Sequence, residues 1–217
     1  MNETIIHNKY RQLEMMQRAG SGIPVPDFQR ARPTEPGWLA RNFQHQRGTD
    51  IRTAQTEPGR TIQRREPCVC AGCNNRHERI LDNYTPGRTT YPNADYYVAY
   101  IKKEREFRVH IINGQSVRMC EKIPRDRAGR ASTVWNSDNS HFSFADIAPR
   151  EVRQTVRQVA KNAVEALGMD FGAVDIMWHR GEALVLEVNS APSLTENDST
   201  LERYVEHIRR WEGGDNR

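Results

Sequence analysis

The stretch that decides the fold is FGAVDIMW at residues 171–178, followed by HRGE at 179–182 and ALVLEVNSAPSL at 183–194. The two apolar runs predict two strands joined across the polar tetrapeptide. Because side chains alternate along a strand, Val185, Glu187 and Asn189 are expected on one face of the second strand. Two oxygen-bearing side chains therefore project together near the end of an apolar strand.

The partner of Asp175 depends on how the two strands are connected. A connection with an odd number of residues, such as RGE, places Asp175 across from Glu187, whereas a two-residue turn places it across from Leu186, on the wrong face. In the first register Asp175, Glu187 and Asn189 form a cluster of hard oxygen donors, which Mg²⁺ prefers when nucleotide phosphates also hold it. The alternative is a carboxylate and an amide that merely end a strand.

Further elements are predicted upstream and downstream of this stretch. The runs FRVHII and QSVRMC flank Asn113 and Gly114, a pair suited to the type I′ turn of a hairpin. Helical spacing predicts helices over residues 8–20, 149–167 and about 200–211. A strand is expected to begin at Trp38, and periodicity fails over residues 41–92, so the sequence predicts no individual elements there.

The pair FGAVDIMW and LVLEVNSAPSL resembles the last two strands of the ATP-grasp superfamily, in which an Asp, a Glu and an Asn hold magnesium against ATP. YYVAYIKKEREFRVHIINGQSV, at residues 96–117, is similar to the hinge and following hairpin of that family. The resemblance implies an α+β fold with two lobes of antiparallel sheet plus helices and a nucleotide cleft between them. Because only a short stretch precedes the first predicted strand, we expect a minimal member without the family's usual N-terminal α/β domain.

The resemblance also divides the chain. Residues 1–95 would hold an N-terminal helix, the smaller lobe and a possible zinc-binding loop. Residues 96–211 would form the larger lobe with the magnesium site, and residues 212–217 would be a flexible tail.

The nucleotide contacts follow from the same resemblance. Glu106 would accept hydrogen bonds from the ribose hydroxyls, and Arg108 would point at the phosphates, where its guanidinium suits paired oxygens. Glu106 and Arg108 could instead be the exposed face of a half-buried strand. Backbone groups of the hinge would meet the adenine ring, and the hinge comprises Ala99, Tyr100, Ile101 and Lys102.

Two further cations are candidates for the phosphates. Arg41 stands where the family supplies a lysine from the smaller lobe. Lys122 would contact phosphate only if a bulge in the hairpin turned it to the face of Arg108. The resemblance implies that Arg108, Glu187 and Asn189 form the catalytic group.

Cys68, Cys70, Cys73 and His77 offer three thiolates and one imidazole in a C-x-C-x-x-C-x-x-x-H array. Such a set suits a closed, structural zinc site with tetrahedral geometry. The alternative is free thiols in a polar loop, because the spacing is tighter than that of paired C-x-x-C motifs.

The resemblance implies an ATP- and magnesium-dependent ligase that activates a carboxylate as an acyl phosphate and joins it to an amine. A formal charge of +4 is also compatible with an enzyme that phosphorylates or joins a nucleic-acid strand or end. The arginines for that alternative are at positions 60, 64, 65, 125, 127 and 130. A nucleotide-binding module without turnover is the third possibility. Without a long apolar run or a signal peptide, we expect a cytoplasmic protein with no membrane partner.

Overall fold

The computed structural model describes residues 8–20, 23–43, 51–57, 60–67, 78–85, 88–125, 135, 139–144, 147–192 and 198–212. Its helices are α1 (Lys9–Ala19), α2 (Arg150–Ala166) and α3 (Asp198–Glu212). Its strands, in chain order, are β1 (Phe28–Gln29), β2 (Trp38–Arg41), β3 (Arg52–Thr53), β4 (Gln55–Glu57), β5 (Arg60–Pro67), β6 (Glu78–Thr85), β7 (Arg88–Thr90), β8 (Tyr96–Ala99), β9 (Arg105–Ile112), β10 (Gln115–Pro124), β11 (Ser140–Ser143), β12 (Phe171–His179) and β13 (Glu182–Asn189). All strand pairs in this part of the chain are antiparallel, which confirms the α+β class.

The larger sheet has five strands in the order β11-β10-β9-β12-β13, and one of its faces is apolar. That face packs on α2, whose buried residues recur at helical spacing as the sequence predicts. The largest core cluster contains Phe107, Val109, Val174, Ile176 and Val185 from the sheet. Their neighbours along each strand point to the opposite face, which is therefore available for polar chemistry.

The smaller sheet has four strands in the order β1-β8-β2-β3. The strand Tyr96–Ala99 pairs in this sheet, although the expected division of the chain put it with the larger lobe. Tyr10 of α1 packs edge-on against Phe28 and Tyr96, and Phe43 stacks on Tyr96. This aromatic cluster joins α1 to the smaller sheet.

Two further strand pairs, β4 with β7 and β5 with β6, lie in the region where the sequence shows no periodicity. These strands were not predicted because polar strands such as RTIQRREP and ERILDNYT show little alternation of apolar residues.

Helix α1 begins at an N-cap: the Asn8 side chain accepts a hydrogen bond from the Arg11 N–H at 3.1 Å. Its buried Gln12 then reaches the edge of the larger sheet. The Gln12 Nε2 donates to the Val188 carbonyl at 2.9 Å, and its Oε1 accepts from the Val188 N–H at 3.1 Å. The side chain thus continues the hydrogen-bonding ladder beyond β13, and it fixes α1 against that strand.

The predicted hairpin turn is confirmed, since Asn113 and Gly114 have φ angles of 45° and 69°. Beyond it, β10 contains a bulge: Ser116 pairs with Ile111, but Arg118 pairs with His110, so Val117 is an extra residue. Among the residues that the structure describes, no helix is long and apolar enough to cross a membrane.

Replacing Gln12 with Leu should lower the free energy of unfolding by about 2–4 kcal/mol, because a buried donor and a buried acceptor of Val188 lose their partner. Urea denaturation measures the effect. The matched control is Gln158→Leu, which removes an exposed hydrogen bond to Asn162 on α2 and should change stability by less than about 0.5 kcal/mol. Equal effects of the two substitutions would contradict the docking role of Gln12.

Candidate functional site

The register between β12 and β13 brings Asp175 directly opposite Glu187. The turn contains only Arg180 and Gly181, with φ angles of 49° and 84°, so His179 pairs with Glu182. Counted from that turn alone, Asp175 would pair with Leu186. An irregularity between Asp175 and Ile176 shifts the register by one residue and restores the pairing with Glu187.

This bulge also decides which face each residue occupies. Val185 and Val188 both belong to the core cluster, so the expectation that Val185 shares the face of Glu187 was wrong. The extra residue, Leu186, interrupts the alternation between them. Glu187 and Asn189 therefore lie with Asp175 on the polar face of the larger sheet.

Asp175 and Arg108 form a two-point ion pair between neighbouring strands. The Arg108 Nε lies 2.7 Å from Oδ1 of Asp175, and its Nη2 lies 2.8 Å from Oδ2. Burial by itself would lower the pKa of Arg108, but the charge and hydrogen bonds of Asp175 raise it above its ordinary value. Asn189 joins the pair, because its side-chain nitrogen lies 3.4 Å from Oδ2 of Asp175.

Glu187 faces two cations that come from outside the larger sheet. The Lys9 Nζ, at the start of α1, lies 2.5 Å from Oε2 of Glu187, and the Arg41 Nη2 lies 3.6 Å from the same oxygen. The side chains of Lys9 and Glu187 are only 6% and 10% exposed. The smaller sheet, α1 and β13 therefore meet at this carboxylate.

Glu106 lies nearer the hinge and is also held by two cations. Its carboxylate oxygens accept from the Lys103 Nζ at 2.5 Å and from the Lys122 Nζ at 2.9 Å. Lys122 reaches this face because the bulge at Val117 shifts β10 by one residue, which is the condition set by the sequence analysis. Burial lowers the pKa of Lys103, and the nearby charge of Glu106 opposes that shift.

His110 lies two residues beyond Arg108 on the same face and is almost completely buried. Its Nδ1 lies 2.8 Å from the hydroxyl oxygen of Tyr204 on α3. Burial first, and then the charges of Arg108 and Arg118, lower the pKa of His110 to about 4. His110 is therefore neutral at pH 7, and it ties α3 to the floor of the site.

The residues of this face fit a magnesium ion. Asp175, Glu187 and Asn189 offer two carboxylates and one amide oxygen, all hard donors. Asp175 is engaged by Arg108, but a carboxylate has about four lone-pair sites and can bind a cation and a guanidinium together. The three predicted ligands therefore lie together on one face, and their oxygen atoms are donors that suit Mg²⁺.

The remaining predicted residues are placed as follows. The Ala99 N–H donates to the Asp27 carbonyl, and the Tyr100 N–H donates to the Gly37 carbonyl, both at 2.7 Å. Arg125 donates from its Nε to the Ser140 carbonyl at 3.1 Å. Several predicted residues lie outside the part of the chain that the structure describes. They are the zinc ligands Cys68, Cys70, Cys73 and His77, the arginines at 127 and 130, and the side chains of the arginines at 60, 64 and 65.

No group of three or more His, Cys, Asp or Glu residues able to hold a metal occurs in the described ranges. Asn189 would bind a metal through its amide oxygen and is not one of these four residue types. Zinc therefore has no support from the structure and stays a prediction.

Three residues around the site were not predicted from the sequence, namely Lys9, Gln12 and Lys103. Lys9 and Gln12 occupy the buried stripe of α1 together with Leu13 and Met16. Polar residues on the apolar face of a short helix could have indicated buried polar contacts, because buried charges need partners. Lys103 follows the hinge and carried no comparable signal.

Comparisons with known proteins were consistent with this geometry. The family model described as a RimK-like ATP-grasp domain matches residues 94–207. D-alanine–D-alanine ligase from Bacillus anthracis superposes with a TM-score of 0.54 at 14% identity, over 96% of this chain and 70% of that one. The complex of that enzyme with ATP gives a TM-score of 0.54 at 13% identity, over 96% and 68%. A search of curated proteins found no match. The predicted fold, two sheet lobes with helices, is confirmed.

Replacing Glu187 with Gln should lower the free energy of unfolding by about 3–5 kcal/mol, because Lys9 and Arg41 lose a buried counter-charge. The measurement is urea denaturation in EDTA without nucleotide. The double variant Lys9→Met/Glu187→Gln, which removes both members of the closest pair, should recover much of the loss. A single variant as stable as the wild type would show that the ion pair does not hold α1 to β13.

Stability should fall as the pH is lowered from about 6.5 towards 4, because His110 has a folded-state pKa of about 4 against an ordinary value of 6.5. In that window the unfolded chain binds the His110 proton and the folded chain does not. The full loss attributable to this residue is about 3 kcal/mol. Denaturation at several pH values should show a shallower dependence in His110→Gln than in the wild type. The same slope in both proteins would contradict the assignment.

Proposed function

The chain belongs to the RimK-like ATP-grasp family, and from this we propose that it is an ATP- and magnesium-dependent ligase that joins a carboxylate to an amine. The observation that carries the proposal is the meeting of Asp175, Glu187 and Asn189 beside Arg108 on one face of the larger sheet. A structural role alone would not require two carboxylates, an amide and a guanidinium on neighbouring strands. Together they suit a metal-bound triphosphate.

The nucleotide is proposed to lie along β9 from the hinge inward. Two of the four hinge N–H groups are used within the smaller sheet, so a backbone donor to adenine would come from Ile101 or Lys102. Glu106 stands next and would accept from the ribose hydroxyls, with its charge balanced by Lys103 and Lys122. Arg108 follows at the level of the phosphates.

The cations on this face would stabilise the negative charge of the phosphates. Arg108, Lys122 and Arg41 are already aligned with the polar face by their ion pairs. Fixed positive charges stabilise a transferring phosphoryl group without reorganising during the reaction. Magnesium, when bound by Asp175, Glu187 and Asn189, would supply further neutralisation of the phosphate oxygens.

The proposed reaction has two steps. A carboxylate oxygen of the acceptor forms a bond to the γ-phosphorus of ATP, and the bond to ADP breaks, which leaves an acyl phosphate. An amine nitrogen then attacks the acyl carbon, phosphate leaves with the bonding electron pair, and the ammonium loses a proton to give an amide. The residues of the chain bind and orient the reactants, because phosphoryl transfer depends mainly on position and charge.

Replacing Asn189 with Ala should weaken magnesium-dependent ADP binding about tenfold or more while changing the free energy of unfolding by less than about 1 kcal/mol. The stability change is small because the contacts of the Asn189 amide, at 3.4 and 3.5 Å, are long. Calorimetric titration with ADP, in Mg²⁺ and in EDTA, separates the metal-dependent part of the affinity.

The matched control is Asn162→Ala, which removes the same side chain from the exposed face of α2. It should bind ADP as the wild type does. Unchanged MgADP affinity in Asn189→Ala would remove that residue from the site, and absence of any MgADP binding in the wild type would contradict the proposed function.

The acyl phosphate step is tested with hydroxylamine as a general amine. Incubation of the enzyme with MgATP, hydroxylamine and a panel of carboxylic acids should give ADP, phosphate and a hydroxamate identified by its mass. Formation of AMP and pyrophosphate would contradict the proposed step.

A further inference from the structure

Arg118 differs from the other cations that meet the polar face of the larger sheet. Five of those cations face the carboxylates of Glu106, Asp175 and Glu187, and the five are Lys9, Arg41, Lys103, Arg108 and Lys122. Arg118 has no carboxylate partner in the part of the chain that the structure describes, and its buried Nε has no hydrogen-bond acceptor there. A buried guanidinium nitrogen without an acceptor carries a cost in free energy that a bound anion would remove.

The position of Arg118 is fixed by its neighbours. Its guanidinium carbon lies 4.4 Å from the centre of the Phe144 ring, a cation–π contact that holds the side chain over the sheet. Arg118 pairs with His110 across the strands, and Cys120 pairs with Arg108. Arg118 therefore lies one step of two residues, about 7 Å, beyond the level of Arg108 along the sheet.

A second arginine lies close by on α3. Tyr204 packs on Ile112 and Val117, immediately beside Arg118, and its hydroxyl contacts His110. Arg203 precedes Tyr204, and its charge acts on Arg118 strongly enough to lower the pKa of Arg118, second only to burial. Arg118 and Arg203 therefore both bring positive charge near the neutral His110, an arrangement that repels cations and attracts an anion.

The direction of this pair from the nucleotide suggests which anion it binds. Along β9 the proposed order is ribose at Glu106, phosphates at Arg108 and then the level of His110, where Arg118 pairs. In phosphoryl transfer the attacking and leaving oxygens are roughly in line, so the acceptor lies beyond the γ-phosphate. Arg118 lies on that side, about 7 Å past the level of Arg108.

We propose that Arg118 and Arg203 bind a second carboxylate of the acceptor, so that the substrate of the ligase carries two carboxylates, one phosphorylated and one anchored. This inference rests on the proposed function, because it takes the phosphate level from Arg108. The anchored group would orient the reacting carboxylate towards the γ-phosphate. It would also discriminate against monocarboxylates, which leave the buried guanidinium nitrogen of Arg118 without an acceptor.

The probes are glutarate and pentanoate, which have five carbons each and differ by one carboxylate. With the protein saturated in MgADP, calorimetry should give an affinity for glutarate about tenfold or more above that for pentanoate, as expected for charge-assisted hydrogen bonds. Arg118→Gln should remove most of this preference, and Arg118→Lys should retain part of it. Arg203→Gln, on an exposed helix position, should reduce it without affecting folding.

The control is Arg210→Gln, which removes an exposed arginine of the same helix that pairs with Glu206 instead. It should leave the preference for glutarate unchanged. Equal affinities of glutarate and pentanoate, absence of glutarate binding, or a preference that survives both Arg118→Gln and Arg203→Gln would overturn the inference. MgADP binding to the wild type is measured first, because its absence contradicts the proposed function. MgADP binding without a preference for glutarate contradicts only the inference that the acceptor is a dicarboxylate.

Discussion

One extra residue in β13 is the constraint on which the polar face depends. The two-residue turn at Arg180 and Gly181 sets a register in which Glu187 would pair with Val174 and point into the core. The bulge at Leu186 shifts the last part of the strand by one residue and turns Glu187 towards Asp175. A second bulge, at Val117, turns Lys122 to the same polar face. In regular strands these charged side chains would point to the apolar face of the sheet. The two bulges turn them to the polar face.

The charges placed in this way also hold the two sheets together. Glu187 belongs to the larger sheet, Arg41 to the smaller one and Lys9 to the helix that touches both. The same carboxylate is proposed to bind the metal, so structural and chemical roles coincide in one residue. A buried carboxylate with two cationic neighbours is also a site whose net charge favours anions, which suits a nucleotide that brings its own metal.

Much of the fold could be predicted because its signals are local. The period of α2, the Asn113-Gly114 turn and the apolar runs of β12 and β13 each follow from short-range rules. The smaller lobe was harder, since β4 to β7 are short or polar and carry little periodicity. The faces of β13 were predicted only in part: strict alternation places Glu187 and Asn189 together, but it cannot reveal where a bulge moves Val185 to the core. The roles of Lys9 and Arg118 could not be predicted from the sequence. They depend on tertiary contacts, namely the contact of Lys9 with the Glu187 carboxylate and the absence of a carboxylate partner for Arg118 among the described residues.

The arrangement of Asp175, Glu187 and Asn189 around a shared cation is the centre of this account, and it can be observed directly. Crystals grown with Mn²⁺ and a non-hydrolysable ATP analogue would locate the metal by its anomalous scattering. We predict a peak among these three side chains, with the phosphates on the side of Arg108. A metal bound elsewhere on the protein, or a nucleotide bound without contact to this face, would contradict the account.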